Sequence, residues 1–307
     1  MNTFIFVCQS GLIECQSLLL AMSLRRYTKN EEIIAAWPKQ FGDLHPFTVR
    51  ILKKLDVKIM EMHNDFDPVY PCGNKIFAAN LPAQGDQVVF LDSDLICMRS
   101  PRNELTEHPA TAISTGRFDV ITHKEWRSCH EALGLEMHTG FRHLRAPIVS
   151  YNQNLSLPEK WLQNAKKIYT VPLRKVRQID QISLALTAQT IPEFFVQEWE
   201  GNLLMLSTSE IYRFNGVPSA PMPVFLVLQK GWMYYERQGH PDIKSDNPNS
   251  LAYYDEVRSL IYGLISEHPS IDRIPAWRVL HDLYFSQLPL DKNVMNGYLR
   301  GVEGDQK

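Results

Sequence analysis

The sequence predicts an α/β fold, and three observations predict it. Short apolar runs alternate with helically spaced segments over the first 120 residues. The chain opens on a strand, a glycine turn and a helix, as many nucleotide-binding α/β domains do. Val88, Val89, Phe90 and Leu91 form an unbroken apolar run, which suits a central strand covered on both faces.

The elements follow in order. Thr3 to Val7 is the first strand, ending at Cys8-Gln9-Ser10-Gly11, where Gly11 permits a turn. Leu12 to Tyr27 has helical apolar spacing. Glu32 to Ala36 reads as a strand, Pro46 to Leu55 as a helix and Val57 to Met60 as a strand. Asn74 to Asn80 is a helix stopped at Leu81-Pro82, and Gln87 to Leu91 is the clearest strand. Strands are expected at Ala110 to Ser114, Pro147 to Tyr151 and Leu203 to Leu206. Helices are expected at Thr122 to Leu133, Pro158 to Ala165, Gln178 to Ala188, Leu251 to Ser266 and Ala276 to Gln287. Prolines from Pro218 to Pro223 and from Pro241 to Pro248 mark loops.

The bulk properties narrow the function classes. At 307 residues and 44 % apolar, the chain can bury a sizeable core. A net charge of -2 argues against a nucleic-acid partner or a polybasic membrane surface. The five cysteines, Cys8, Cys15, Cys72, Cys97 and Cys129, are odd in number and lack C-x-x-C spacing. That speaks against a disulfide framework or structural zinc, and for a reducing compartment. The start has no basic n-region, and no run of about 18 apolar residues follows. A cytoplasmic protein is expected, with a peripheral membrane contact left open.

Asp92-Ser93-Asp94 carries the chemistry. Two carboxylates spaced i, i+2 at a strand end can converge in the turn and offer hard anionic oxygens to Mn²⁺ or Mg²⁺. A cation so held can stabilise a departing diphosphate. The triplet by itself says little, and Asp65-Phe66-Asp67 is the control: it follows polar His63-Asn64 and reads as a solvated turn. The apolar strand before Asp92 is what sets the two apart.

The run Asn74-Lys75-Ile76-Phe77-Ala78-Ala79, then Leu81-Pro82, then Val88 to Ile96 resembles the helix-then-D-x-D block of the GT-A glycosyltransferases, in particular family 8 and its neighbours. The resemblance implies a Rossmann-like nucleotide-diphospho-sugar transferase fold with a mixed, mostly parallel sheet flanked by helices. It implies that Asp92, Ser93 and Asp94 meet the donor, with Asp92 and Asp94 on the metal, and that Lys75 lies near the nucleotide. Cys8, Gln9 and Ser10 resemble the loop that receives base and ribose. Pro147 to Asn152 resembles the acceptor-side strand, with Ala146-Pro147 where that strand carries Asn-x-Gly. Asp180-Gln181 resembles the pair that faces the transferred sugar, and these two are the candidate catalytic residues.

The family's late His-x-x-Gly-x-x-Lys-Pro-Trp stretch is missing, and Asn215-Gly216 echoes it without a histidine. His240 is the alternative metal ligand. The implied partners are a nucleotide-sugar donor, a UDP-sugar by resemblance, and a saccharide, glycan or lipid-linked glycan hydroxyl. The implied organisation is a catalytic domain over 1–245, split at 120 into donor and acceptor halves, with a helical extension over 246–307.

Each candidate also has a plainer reading. Lys75 could be a solvated helix lysine, and Asp180 a helix N-cap. Arg174, Lys175 and Arg177 suit a solvated basic loop, and Trp232, Tyr234 and Tyr235 suit packing rather than a sugar platform. His123, His130, His138 and His143 make no metal pattern. Three rival functions make different demands on the sequence. A haloacid-dehalogenase-type phosphatase would place Gly and Thr or Val after its Asp-x-Asp, where Leu95-Ile96 stands here. A sugar-phosphate nucleotidyltransferase would open on a Gly-rich, Arg-containing loop. A non-catalytic carbohydrate-binding module would not need both Asp92 and Asp94.

Overall fold

The computed structural model describes residues 1–66, 69–101, 108–114, 123–137, 144–171, 178–192, 194–198, 204–205, 224–228 and 248–267. Its centre is a seven-stranded sheet. The first half alternates strictly: β1 (Asn2–Val7), α1 (Leu12–Tyr27), β2 (Glu32–Pro38), α2 (Pro46–Lys54), β3 (Lys58–Met62), α3 (Asn74–Ala79) and β4 (Gln87–Leu91). β1 is parallel to both β2 and β4, with Phe4 opposite Ile33 on one side and Val89 on the other.

The second half adds β6 (Ala110–Ser114), α4 (His123–Leu133), β7 (Leu144–Asn152), α5 (Leu157–Tyr169), α6 (Ile179–Ala188) and β8 (Phe194–Glu198). β7 runs antiparallel between β4 and β6, and β8 runs parallel to β6. The strand order is β3-β2-β1-β4-β7-β6-β8, and the sheet is mixed and mostly parallel, as expected. A small second sheet joins β5 (Leu95–Cys97), β10 (Phe225–Val227) and β9 (Leu204–Met205).

Strand alternation explains the two apolar layers. Phe4, Phe6, Ile33, Ala35, Val89 and Leu91 face α1 and α2. Ile5, Val7, Ile34, Ala36, Val88 and Phe90 face α3, α5 and α6. Because helices cover both faces, no strand near the centre has a polar side, which is why β4 reads as a solid apolar run.

The turns and helix ends have identifiable causes. Gly11 precedes α1 at φ 93, a left-handed value that favours glycine. Pro46 opens α2, where its missing N–H costs nothing, and His45 Nδ1 accepts from Phe47 N (3.2 Å). The Arg25 guanidinium ties the ends of α1 and α2 together. It donates to the carbonyls of Leu55 (2.8 Å), Thr28 (2.7 Å), Glu31 (3.1 Å) and Asp56 (2.8 Å).

The last described helix, α7 (Pro248–Glu267), packs on α1. Leu260, Ile261 and Leu264 join the first apolar layer, and ion pairs Arg26–Glu256 and Lys54–Glu267 flank them. Among the described residues, no helix is long and apolar enough to cross a membrane.

Several boundaries move from their sequence positions. β3 runs from Lys58 to Met62 rather than from Val57 to Met60, because its pairing with β2 extends to Pro38. β7 and α5 are longer than their apolar cores. β5, β8 and β10 were not foreseen: each is five residues or fewer and exists through pairing with distant chain. The expected helix at Ala276 to Gln287 lies outside the described residues.

Glu32 clips three strands. Its Oε2 accepts from Thr3 Oγ1 (2.8 Å) and from Gln84 N (2.7 Å), and Lys58 pairs with Oε1. Burial alone would raise its carboxyl, but the Lys58, Gln84 and Thr3 bonds outweigh that and hold it below its ordinary value of 4.5. A lowered folded pKa gives stability that is present above the unfolded pKa and lost as pH falls through the folded one. Glu32→Gln should therefore cost about 1–2 kcal/mol at neutral pH. In urea melts the gap to the unsubstituted protein should close as pH falls below about 4. A gap that stays constant with pH would remove the carboxylate from this role.

Candidate active site

The chain runs outward from β1 to β2 and β3, then crosses back to place β4 on the other side of β1, so the strand order reverses between β1 and β4. In open α/β sheets the crevice at such a switch point, outside the carboxyl ends of the strands, is where ligands bind. Gln9 follows β1 there and Asp92 follows β4.

The acidic turn is anchored through its backbone. Asp92 N donates to Pro147 O of β7 (2.7 Å), and Leu228 N donates to Asp94 O (2.6 Å). The Ser93 hydroxyl donates to Val7 O at the end of β1. The backbone and Ser93 are thus engaged with the protein. The Asp92 carboxyl reaches α3, and its side chain keeps 28 % exposure.

Lys75 lies beside it on α3. Its Nζ is 2.9 Å from Asp92 Oδ1, 3.3 Å from Asp92 Oδ2 and 3.2 Å from Asp180 Oδ2. The Tyr70 hydroxyl donates to Asp180 Oδ1 (2.6 Å). Tyr70, Asp180, Lys75 and Asp92 therefore form one continuous polar chain across the crevice. The Lys75 side chain is 14 % exposed and that of Asp180 only 3 %. Burial pushes the Asp92 carboxyl up, Lys75 opposes this and Asp94 repulsion adds to it. Burial would lower Lys75, but the carboxylates of Asp92 and Asp180 outweigh it and hold the ammonium above its usual range.

Local sequence explains how α3 is set. Asn74 donates through Nδ2 to Gln9 Oε1 (2.8 Å) and accepts at Oδ1 from Asn64 Nδ2 (2.8 Å). A Cβ at Gly73 would stand 2.6 Å from the Phe66 ring, so only glycine lets the turn before α3 press on that ring. Asp180 sits in the first turn of α6, behind the N-cap Gln178, so it is not the cap. Trp161 Nε1 donates to Asp180 O (2.9 Å) and Ser183 Oγ (3.0 Å), fixing that turn against α5.

The structure brings together Lys75, Asp92 and Asp180, with Asp94 at the end of the same turn. Lys75 is thus paired rather than solvated, and Asp180 is not a helix cap. Gln9 is tied to α3 through Asn74. Gln181 follows Asp180, and its Oε1 is buried without a hydrogen-bond donor among the described residues. Ser10 is half-buried beside Gly42. Cys8 differs from expectation: its thiol is fully buried in the first apolar layer and pushed up by that burial, so its side chain faces the core rather than the crevice. Asp65 is exposed and pairs with Lys166 (2.8 Å). Asp67, His240, Arg174, Lys175, Arg177, Trp232, Tyr234 and Tyr235 lie outside the described residues.

Tyr70, Asn64 and Asn74 escaped sequence reading as site residues. Tyr70 sits between Pro68 and Pro71 with no periodic pattern to single it out. Tyr70→Phe should lower turnover about tenfold through loss of a bond to a charged group. Its melting temperature should shift by only a few degrees. Unchanged turnover would show that Asp180 needs no such support.

The donor set fits a hard divalent cation as a half-site. Asp92 and Asp94 supply carboxylate oxygens, and Mg²⁺-type ions commonly take one or two carboxylates plus substrate phosphate oxygens. Among the described residues, no group of three His, Cys, Asp or Glu forms a metal cluster.

The family profile of the Rhodobacterales glycosyltransferase domain matches residues 4–191. Among solved structures, an active-site mutant of LgtC aligns with a TM-score of 0.53 at 12 % identity, covering 84 % of this chain and 96 % of that one. The apo form of the glycosyltransferase GlyE from Streptococcus pneumoniae TIGR4 aligns at 0.50 and 14 % identity, over 87 % of this chain and 63 % of that one. At such identities the likeness concerns the fold, which is GT-A. No curated protein matches the chain by sequence.

Proposed function

The chain belongs to the Rhodobacterales glycosyltransferase domain family, and from that premise we propose that it is a cation-dependent enzyme moving a sugar from a nucleotide-sugar to a hydroxyl acceptor. The observation that carries this reading is the position of Asp92 and Asp94 at the carboxyl end of β4, with Asp92 paired to the Lys75 that also holds Asp180. A sugar–phosphate bond breaks only if the diphosphate's growing charge is met. Mn²⁺ or Mg²⁺ held by Asp92, Asp94 and donor phosphate oxygens would supply part of that neutralisation.

The chain's own residues supply the rest. Lys75 brings a buried positive charge that the two neighbouring carboxylates hold in place. Gln9, fixed by Asn74, and Ser10 line the end of β1 where base and ribose are received. Asp180 and Gln181 face the transferred sugar in this reading. His240 is the third protein ligand in this reading, and residues 246–307 form the extension behind a 1–245 catalytic domain. The donor is a UDP-sugar and the acceptor a saccharide or lipid-linked glycan. Family membership sets aside the phosphatase and the non-catalytic carbohydrate-binding module.

A panel of nucleotide-sugars, incubated with purified protein and Mn²⁺, tests the reading through release of nucleoside diphosphate. One donor should be consumed with Mn²⁺ or Mg²⁺ and spared in EDTA. Equal turnover in EDTA, or no stabilisation of the protein by any nucleoside diphosphate, would sink it.

A further inference from the structure

Lys75 occupies an unusual place among the charges of the crevice. Its ammonium spans both oxygens of Asp92, at 2.9 and 3.3 Å, while touching Asp180 at 3.2 Å. With a side chain only 14 % exposed, the ammonium is largely withdrawn from water. The position in front of Asp92 is therefore already held by a cation that belongs to the chain. Asp180 offers the ammonium a second partner within reach, and Tyr70 keeps that carboxylate aimed by engaging its other oxygen.

We propose that Lys75 is a built-in counter-ion that competes with a divalent cation for Asp92, and that it yields when a nucleoside diphosphate arrives. The inference rests on the cation-dependent reading above. A divalent ion approaching Asp92 alone meets an ammonium bonded to the same carboxylate, and the two positive charges repel. A diphosphate changes the balance. It gives Lys75 a new anionic partner and gives the incoming ion extra oxygens. Lys75 then shifts toward Asp180 and the diphosphate, and Asp92 is released to the divalent ion. Cation and diphosphate thus favour each other's binding, and by linkage the coupling runs equally in both directions. The arrangement also keeps Asp92, Asp94 and Asp180 from facing one another without a counter-charge when no ligand is bound.

The test is Mn²⁺ binding to the full chain, read as free Mn²⁺ by electron paramagnetic resonance, with and without UDP, GDP or ADP. The unsubstituted protein should bind Mn²⁺ weakly alone, and about tenfold or more tightly with one of the nucleotides. Lys75→Met should bind Mn²⁺ alone several-fold more tightly and lose most of the nucleotide enhancement. Asp180→Asn, which leaves Lys75 only Asp92 as a carboxylate partner, should act in the opposite sense and weaken Mn²⁺ binding without nucleotide. Opposite shifts from two substitutions in one cluster are not what general damage produces. Circular dichroism confirms that each variant is folded, and the Asp180→Asn arm carries the test if Lys75→Met does not fold. Nucleotide-stimulated Mn²⁺ binding with an unchanged or weaker affinity in Lys75→Met, or a tighter one in Asp180→Asn, overturns the counter-ion role alone. No Mn²⁺ binding by any form under any condition overturns the cation-dependent reading and this inference with it.

Discussion

Asp92→Asn should lower sugar transfer about 10²–10³-fold, and Asp94→Asn by a similar factor. The amide keeps the shape of the side chain and removes the anionic oxygens that a hard divalent cation needs. Folding should survive both changes. Asp92 is anchored through its backbone N–H to Pro147 O, and Asp94 through its carbonyl to Leu228 N, so neither anchor involves the carboxylate. Lys75 also keeps Asp180 as a partner when Asp92 is neutral, so no buried ammonium is left unpaired. The measurement is nucleoside diphosphate release at saturating Mn²⁺, alongside thermal melts. Activity within about tenfold of the unsubstituted protein in either variant would end the assignment of that residue to the site.

Trp161→Ala should destabilise the fold by about 3–5 kcal/mol, the range for deleting a fully buried aromatic. Trp161 is wholly buried between α5 and α6 in the second apolar layer. Its indole N–H holds the Asp180 carbonyl and the Ser183 hydroxyl, so the loss also loosens the turn that presents Asp180. Trp161→Phe separates the two effects. It refills most of the volume and removes only the indole donor, so its cost should be smaller while turnover still falls. Urea melts and initial rates on the same samples read both. A loss below about 1 kcal/mol for the alanine variant would mean that the surroundings collapse onto the site.

Much of the fold was legible in the sequence. β1, α1, β4 and α6 appear at or within a residue or two of their expected limits, because each has a strong apolar period or run and a clear start or stop. The acidic turn was legible for the same reason: a buried strand ending in two aspartates is a local contrast. Asp65-Phe66-Asp67 lacks that contrast, and Asp65 proves to be an exposed partner of Lys166. Short elements were the weak point. β5 and β10 pair across about 130 residues of chain, and nothing in three residues announces such a partner.

Local pattern alone was enough for the α/β class, the Asp92–Asp94 turn and the candidacy of Lys75 and Asp180. It left both of the latter with ordinary readings, a solvated lysine and a helix cap. Only the folded chain showed that Lys75 is paired with two carboxylates and that Asp180 is not the cap. Lys75 and Asp180 are 105 positions apart, and Tyr70 and Asp180 are 110 apart, yet all lie within hydrogen-bond or ion-pair distance. It also turned Cys8 inward and gave Ser93 a backbone carbonyl as its partner. The reason is physical. Periodicity and turn chemistry act over a few residues, whereas a buried charge is defined by what the packing of distant elements sets against it.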